Sequence, residues 1–238
     1  MKSSEIILHI RNYCRENADP AIVLKYSRYF KEGYDAYGLT HEKTLAETDY
    51  IFENNKHLTQ QDILLLGKEL FASGKYEEGS IAMLLLMKFK KQFSSLTLEG
   101  VGEWFNGGIN NWGHTDFMSG EVLGEMLLKK AINYTDFSGW ITSKYRFKRR
   151  AVPVSLIKPV KNGMEIPLLL SFIEPLMMDN ERVVHQGVGW LLREAWKRNP
   201  KPVEDFLHKW KHSAARLIYQ YATEKMTPEK KQEFKRPK

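Results

Sequence analysis

Apolar residues along the chain recur at helical spacing almost throughout. In "SSEIILHIRNYCREN" Ile6, Ile7, Ile10 and Cys14 fall on one face, with Ser4 ahead of them as a candidate N-cap. Asp19-Pro20 reads as an N-cap and a first-turn proline, opening a second helix that runs through Tyr29. "LTHEKTLAETDYIFENN" predicts a third. In "TQQDILLLGKELFASG" Thr59 and Asp62 have the spacing of a capping box, and Gly74 suits the helix's C-terminal end. Further helical stretches follow in "YEEGSIAMLLLMKFKKQF", "EVLGEMLLKKAI", "RRAVPVSLIKPV", "EIPLLLSFIEPLMM", "ERVVHQGVGWLLREAWKRN", "PVEDFLHKWKH" and "SAARLIYQYATEK". Alternating strand patterns are essentially absent.

About a dozen helices in pairs, spaced roughly 35–40 residues apart, predict an all-α fold: an α-α superhelix of HEAT-like or armadillo-type repeats. No Gly- or Ser-rich linker interrupts the series, so we expect a single repeat domain over residues 1–238, with a charged, fraying tail from about residue 227. The stretch Glu181–Asn199 shows the pattern best. Val184, Val188, Leu191 and Ala195 form its core stripe, and Trp190 lies well off that stripe beside Gln186, Arg193 and Lys197.

Charge sharpens the picture. Residues 1–118 hold 13 Lys+Arg against 16 Asp+Glu, and residues 119–238 hold 23 against 13. A basic half joined to a near-neutral half suggests a concave basic groove that meets a polyanion. The single cysteine, Cys14, rules out an intramolecular disulfide and fits a reducing compartment. The first residues mix charges into their apolar positions, unlike a signal peptide. No apolar run approaches the roughly 18 residues of a membrane span. The expectation is a monomeric cytoplasmic protein without a membrane partner, whose basic half makes nucleic acid one candidate polyanion.

Two clusters carry candidate chemistry beside Trp190. In "SKYRFKRRAV" Lys144, Arg146, Lys148, Arg149 and Arg150 alternate with Tyr145 and Phe147. Arginine offers a rigid donor fork for phosphate. Pro153 predicts a helix starting near Arg150, which places these arginines at a helix N-terminus. In "NNWGHTD" Trp112 and Asp116 are one helical turn apart. A carboxylate there suits orienting a water or stabilising a developing positive charge, and an indole face suits holding a cation. The competing reading makes Trp112 core and Asp116 a cap. His114 and Asp116 lack the further ligands of a metal site, so no metal is expected. No P-loop or dinucleotide fingerprint is present, so no nucleotide cofactor is expected either.

These motifs resemble the DNA alkylation repair proteins, AlkD-like DNA glycosylases built from HEAT-like repeats, over most of the chain. "YFKEGYDAYGL" from Tyr29 resembles the family's Y-M-K-x-x-F-x-x-x-G-I stretch, and "NWGHTD" its Trp-x-x-x-Asp motif. "FKRRAVPV" resembles W-x-R-R-x-A-I-V. The most specific match is "VVHQGVGWLLREAWKRNP" to F-x-Q-K-A-I-G-W-x-L-R-E-x-x-K-x-N-P. Gly-His-Thr stands between Trp112 and Asp116 where the family often has Asp-x-Val, and Phe147 replaces a tryptophan.

The resemblance implies hydrolysis of the N-glycosidic bond of N3- or N7-alkylated purines in double-stranded DNA, without deep flipping of the lesion. It implies a monofunctional glycosylase that needs no cofactor. It makes Asp116 the catalytic carboxylate, Trp112 and Trp190 the residues flanking the lesion, and Tyr29 their neighbour. The family's phosphate-contacting arginine falls in the Lys148-Arg149-Arg150 run. Phe147 selects Arg150 and the following Ala-Val selects Arg149. Arg193 completes the cationic face. Two other functions suit the same fold: a non-catalytic binder of branched or damaged DNA, and a protein-interaction scaffold.

Overall fold

The structure is a computed structural model that describes residues 1–31 and 33–235. Every regular element among the described residues is helical. The chain divides into two compact units, Met1–His114 and Thr115–Lys238.

The first unit holds α1 (Ser3–Glu16), α2 (Pro20–Ser27), α3 (His41–Asn54), α4 (Gln60–Ala72), α5 (Tyr76–Met87) and α6 (Ser95–Phe105). Helix α7 (Trp112–Phe117) straddles the boundary. The second unit continues with a π-helical stretch (Met118–Leu123), α8 (Gly124–Leu128), a 3-10 turn (Tyr134–Phe137) and α9 (Ser138–Ile141). Helices α10 (Arg146–Lys161) and α11 (Ile166–Ile173) follow, then a second 3-10 turn (Glu174–Met178). The series ends with α12 (Arg182–Arg198), α13 (Pro200–Trp210), α14 (Arg216–Ala222) and α15 (Pro228–Glu233).

Within each unit the helices stack in the layered manner of an α-α superhelix. In the first, α4 packs on α5 and α6, and α3 on α5. In the second, α10, α12 and α14 form one row, and α11 and α13 pack as the other. A helix that packs on its second neighbour in sequence is what paired, stacked repeats require. The expected fold class is the observed one.

The caps follow the sequence closely in places. Asp19 accepts the Ala21 amide at 2.8 Å, as the Asp-Pro pair predicted. Thr59 and Asp62 form the full capping box, and the left-handed Gly74 lies just beyond the end of α4. Elsewhere local signals misled. Helix α1 starts one residue before Ser4, capped at Lys2 rather than by that serine. Helix α2 stops at Ser27, short of Tyr29. Helix α6 lies outside the predicted stretches, although Ser94 and Thr97 form a capping box at its start. The charged tail opens with a short helix: Thr227 caps α15, accepting the Lys230 amide at 3.3 Å. Residues 236–238 lie outside the described residues.

Helix α12 explains how the second unit closes. Its stripe of Val184, Val188, Leu191 and Ala195 is fully buried, as the periodicity required. Full burial of each larger aliphatic side chain contributes about 1.5–3 kcal/mol. Two glycines let its neighbours approach. A Cβ on Gly187 would sit 3.3 Å from Arg150 Cγ and Pro153 Cγ of α10. A Cβ on Gly189 would sit 2.5 Å from Tyr221 Cβ and 2.7 Å from the Ile218 carbonyl of α14. Gly187 thus brings the backbone of α10 close enough for an arginine to reach across to α12.

Candidate functional site

The basic segment does open a helix, but that helix starts earlier than predicted. Helix α10 begins at Arg146, four residues before the predicted start, and Pro153 is internal. An internal proline gives up one backbone hydrogen bond; here its ring packs beside Gly187. Arg146, Lys148 and Arg149 thus fall in the first turn, as expected, and Arg150 alone moves to the second. Phe147 is core, 3% exposed.

Arg150 is a buried clamp. Its Nε and Nη2 donate to the two oxygens of Asp116 at 2.9 and 2.8 Å, and Nη1 donates to the Val183 carbonyl at 2.7 Å. The planar guanidinium meets the carboxylate in the two-pronged geometry that lysine cannot match. Asp116 retains partial exposure, with 20% of its side chain accessible against 7% for Arg150. Each carboxylate oxygen keeps a lone pair that Arg150 does not use. Asp116 stands at the fifth position of α7, and the π-helical stretch begins two residues later. Such stretches recur at functional sites.

The other cations of the segment have partners of their own. Arg149 donates to both oxygens of Asp179, at 2.5 and 3.1 Å, and to the Ser143 carbonyl at 2.6 Å. Arg193 lies on α12 between Glu194, 3.2 Å from its Nε, and Glu224. The Lys148 ammonium lies 4.9 Å above the Trp140 ring. Trp190 is half-buried on α12. Burial works against ionisation of the neighbouring Glu194, but Lys197, Lys161 and Arg193 outweigh it and hold its carboxyl below the usual range.

Trp112 belongs to the first unit's own constellation. It is 39% exposed, and its indole N–H donates to the Tyr29 carbonyl at 3.1 Å. Phe30 stacks on it with centroids 5.3 Å apart and planes within 15°. Tyr29 is exposed, and its ring lies 4.8 Å from the Arg28 guanidinium carbon. Glu77 steadies the nearby segment by accepting the amides of Tyr37, Gly38 and Leu39 at 2.8, 2.8 and 3.1 Å. Glu32, within the Tyr29–Leu39 motif, lies outside the described residues.

The residues between Trp112 and Asp116 have a structural purpose. His114 is buried, and its amide donates to Asn111 Oδ1 at 2.9 Å. That orients the Asn111 amide nitrogen toward His114 Nδ1, 3.0 Å away, so Nδ1 accepts. Nε2 then carries the proton toward Ser80 Oγ at 3.1 Å, and Ser80 donates to the Tyr76 carbonyl. Burial drives the His114 pKa down to about 3, against a smaller opposing pull from the Tyr76 carbonyl. The ring is neutral at physiological pH.

The structure thus gathers Trp112 with Tyr29 in one unit and Asp116 with Arg150 in the other. Sequence reasoning missed Phe30, Asp179 and the Val183 carbonyl, and weighed His114 only as a metal ligand. Phe30 was signalled only by its place next to Tyr29. A carbonyl partner leaves no signature in side-chain identity.

Fold and side chains together define a helical-repeat protein with an exposed, backed tryptophan in one unit and a clamped carboxylate in the other. The chain belongs to the DNA alkylation repair enzyme family, whose model matches residues 10–226. Among solved structures it is similar to a predicted DNA alkylation repair enzyme from Enterococcus faecalis. That likeness has a TM-score of 0.75 at 15% identity and covers 89% of this chain and 98% of the other. No curated protein matches the chain.

Proposed function

We propose that the protein is a DNA glycosylase that releases N3- or N7-alkylated purines from duplex DNA. The observation that carries this reading is the Asp116 carboxylate, partly open to solvent and locked in place by both prongs of a buried arginine. Alkylation makes the purine a cation. When the glycosidic bond breaks, its electron pair passes to the base, which departs neutral. Positive charge develops on the sugar, and a carboxylate with remaining lone pairs stabilises it. A water then bonds to the anomeric carbon and loses its proton through Asp116 to solvent. Preorganisation matters here, because a carboxylate that needs no rotation loses nothing at the moment of reaction.

Arg150 is assigned to Asp116 rather than to phosphate. Arg149 and Arg193 are engaged by carboxylates, and half-exposed Lys148 of the same run is assigned with them to the DNA-contacting face. In the first unit Trp112, with Tyr29 beside it, is assigned to the cationic base, and in the second Trp190 is assigned to the lesion. The protein works without a cofactor.

Asp116→Asn tests the reading on duplex DNA carrying 7-methylguanine. The wild type is expected to release the base, and the variant to lose at least about a hundredfold in rate with duplex binding nearly unchanged. Absence of release by the wild type overturns the proposal. The bidentate contact itself favours one alternative: a non-catalytic DNA-binding protein in which Asp116 and Arg150 are a structural pair. That reading requires salt-sensitive duplex binding with no base release.

A further inference from the structure

Trp112 is the end of a column of rings. Tyr34 stacks on Phe30 with centroids 4.7 Å apart and planes within 13°, and Phe30 stacks on Trp112 at 5.3 Å and 15°. Tyr76 braces the column from the side, tilted against Phe30 at 5.5 Å and Tyr34 at 5.2 Å. It lies in turn on the neutral ring of His114, 4.3 Å away and inclined by 21°. The indole N–H is already committed to the Tyr29 carbonyl.

An indole held this way has one face closed by Phe30 and its polar edge tied to backbone. The opposite face is the one Phe30 does not cover, and the residue as a whole is 39% exposed. A ring with a single open face presents its quadrupole in one direction and cannot turn to present its edge. Leu or Met at position 30 would fill similar space but would not hold the indole plane within a narrow range of angles.

We infer that Phe30 is a positioning residue for recognition of the cationic base: by backing Trp112 it confines the lesion to the outer face of the indole. The inference rests on the glycosylase reading for Trp112's role and extends it to a residue that touches neither substrate nor reacting atoms. The base it selects is a planar, positively charged purine, because neutral purines gain only the weaker stacking term from the same face.

The test uses Phe30→Leu and Phe30→Tyr in the full chain, with two readouts. The first is equilibrium binding to duplexes that differ only in one 7-methylguanine. The second is single-turnover release of that base. Phe30→Leu is expected to lower discrimination between the two duplexes about tenfold, leaving affinity for the unmodified duplex within about twofold. Its half-saturating concentration should rise by more than its maximal rate falls. Phe30→Tyr, which keeps the ring, should restore both to within about twofold of wild type. A merely structural role predicts equal losses on both duplexes and no rescue specific to a ring. Wild-type discrimination in Phe30→Leu overturns the inference while leaving the glycosylase reading intact. If the wild type binds the methylated duplex preferentially but releases no base, the glycosylase reading fails and the binding readout still decides the role of Phe30. If the wild type does not discriminate at all, the inference fails.

Discussion

Replacing Arg150 removes three hydrogen bonds at once: two to Asp116 and one to the Val183 carbonyl. Arg150→Ala leaves the carboxylate without its counter-charge and the carbonyl without this donor. Removing one partner of a buried ion pair costs about 3–5 kcal/mol when the survivor is fully enclosed. Asp116 keeps 20% of its side chain in solvent, where water restores part of the loss. We therefore expect about 3 kcal/mol of destabilisation. Arg150→Lys keeps the charge but cannot span both carboxylate oxygens and the carbonyl, and should cost about 1–2 kcal/mol. Urea unfolding followed by circular dichroism measures both, provided the slope of the transition is unchanged. A double-mutant cycle with Asp116→Asn should return at least about 1 kcal/mol of coupling, because the residues share one contact. An Arg150→Ala loss below about 0.5 kcal/mol, with additive behaviour in the cycle, would refute a preorganised clamp.

Two pH predictions follow from buried groups in the first unit. Glu47 is 2% exposed and its carboxyl is raised to about 7 by burial. Its folded pKa exceeds its unfolded one, so ionisation penalises the folded state: stability falls as pH rises from about 4.5 to about 7. Glu47→Gln should gain about 2 kcal/mol over wild type at pH 8 and nothing at pH 4.5, measured by urea unfolding at each pH; no gain at pH 8 refutes the assignment. For His114 the folded pKa is depressed to about 3 from an ordinary 6.5, so wild-type stability is intact above pH 6.5 and is lost as pH falls toward 3. His114→Gln should flatten the stability profile between pH 6.5 and 4, and an unchanged slope there contradicts the neutral, buried ring.

Much of the site was present in the one-dimensional pattern and part of it was not. Asp116 and Trp112 stood out because a carboxylate and an indole four apart on a polar turn are unusual. The arginine run stood out for its density. Which arginine does what could not be read there: Arg149 and Arg150 are adjacent, identical in type and equally compatible with phosphate. Their directions differ by about 100° around α10. One turn takes Arg149 to Asp179 and the other takes Arg150 to Asp116. The expected helix start at Arg150 failed for a related reason, since Pro153 is tolerated inside α10 by packing against α12.

The sequence by itself determined the helical class, the buried stripe of α12, the Asp19 and Thr59 caps and the residue types that carry chemistry. These depend on periodicity and on contacts a few residues apart, which local order preserves. Tertiary structure alone decided that Arg150 is Asp116's clamp, that Arg149 and Arg193 are engaged by carboxylates, and that Phe30 and Tyr34 stand behind Trp112. The deciding contacts, Arg150 with Asp116, Arg149 with Asp179, Arg193 with Glu224 and Phe30 with Trp112, join residues 30 or more positions apart in the chain, and others depend on the direction of a backbone carbonyl. Neither separation nor direction is written in the order of side chains; both appear only when the helices stack.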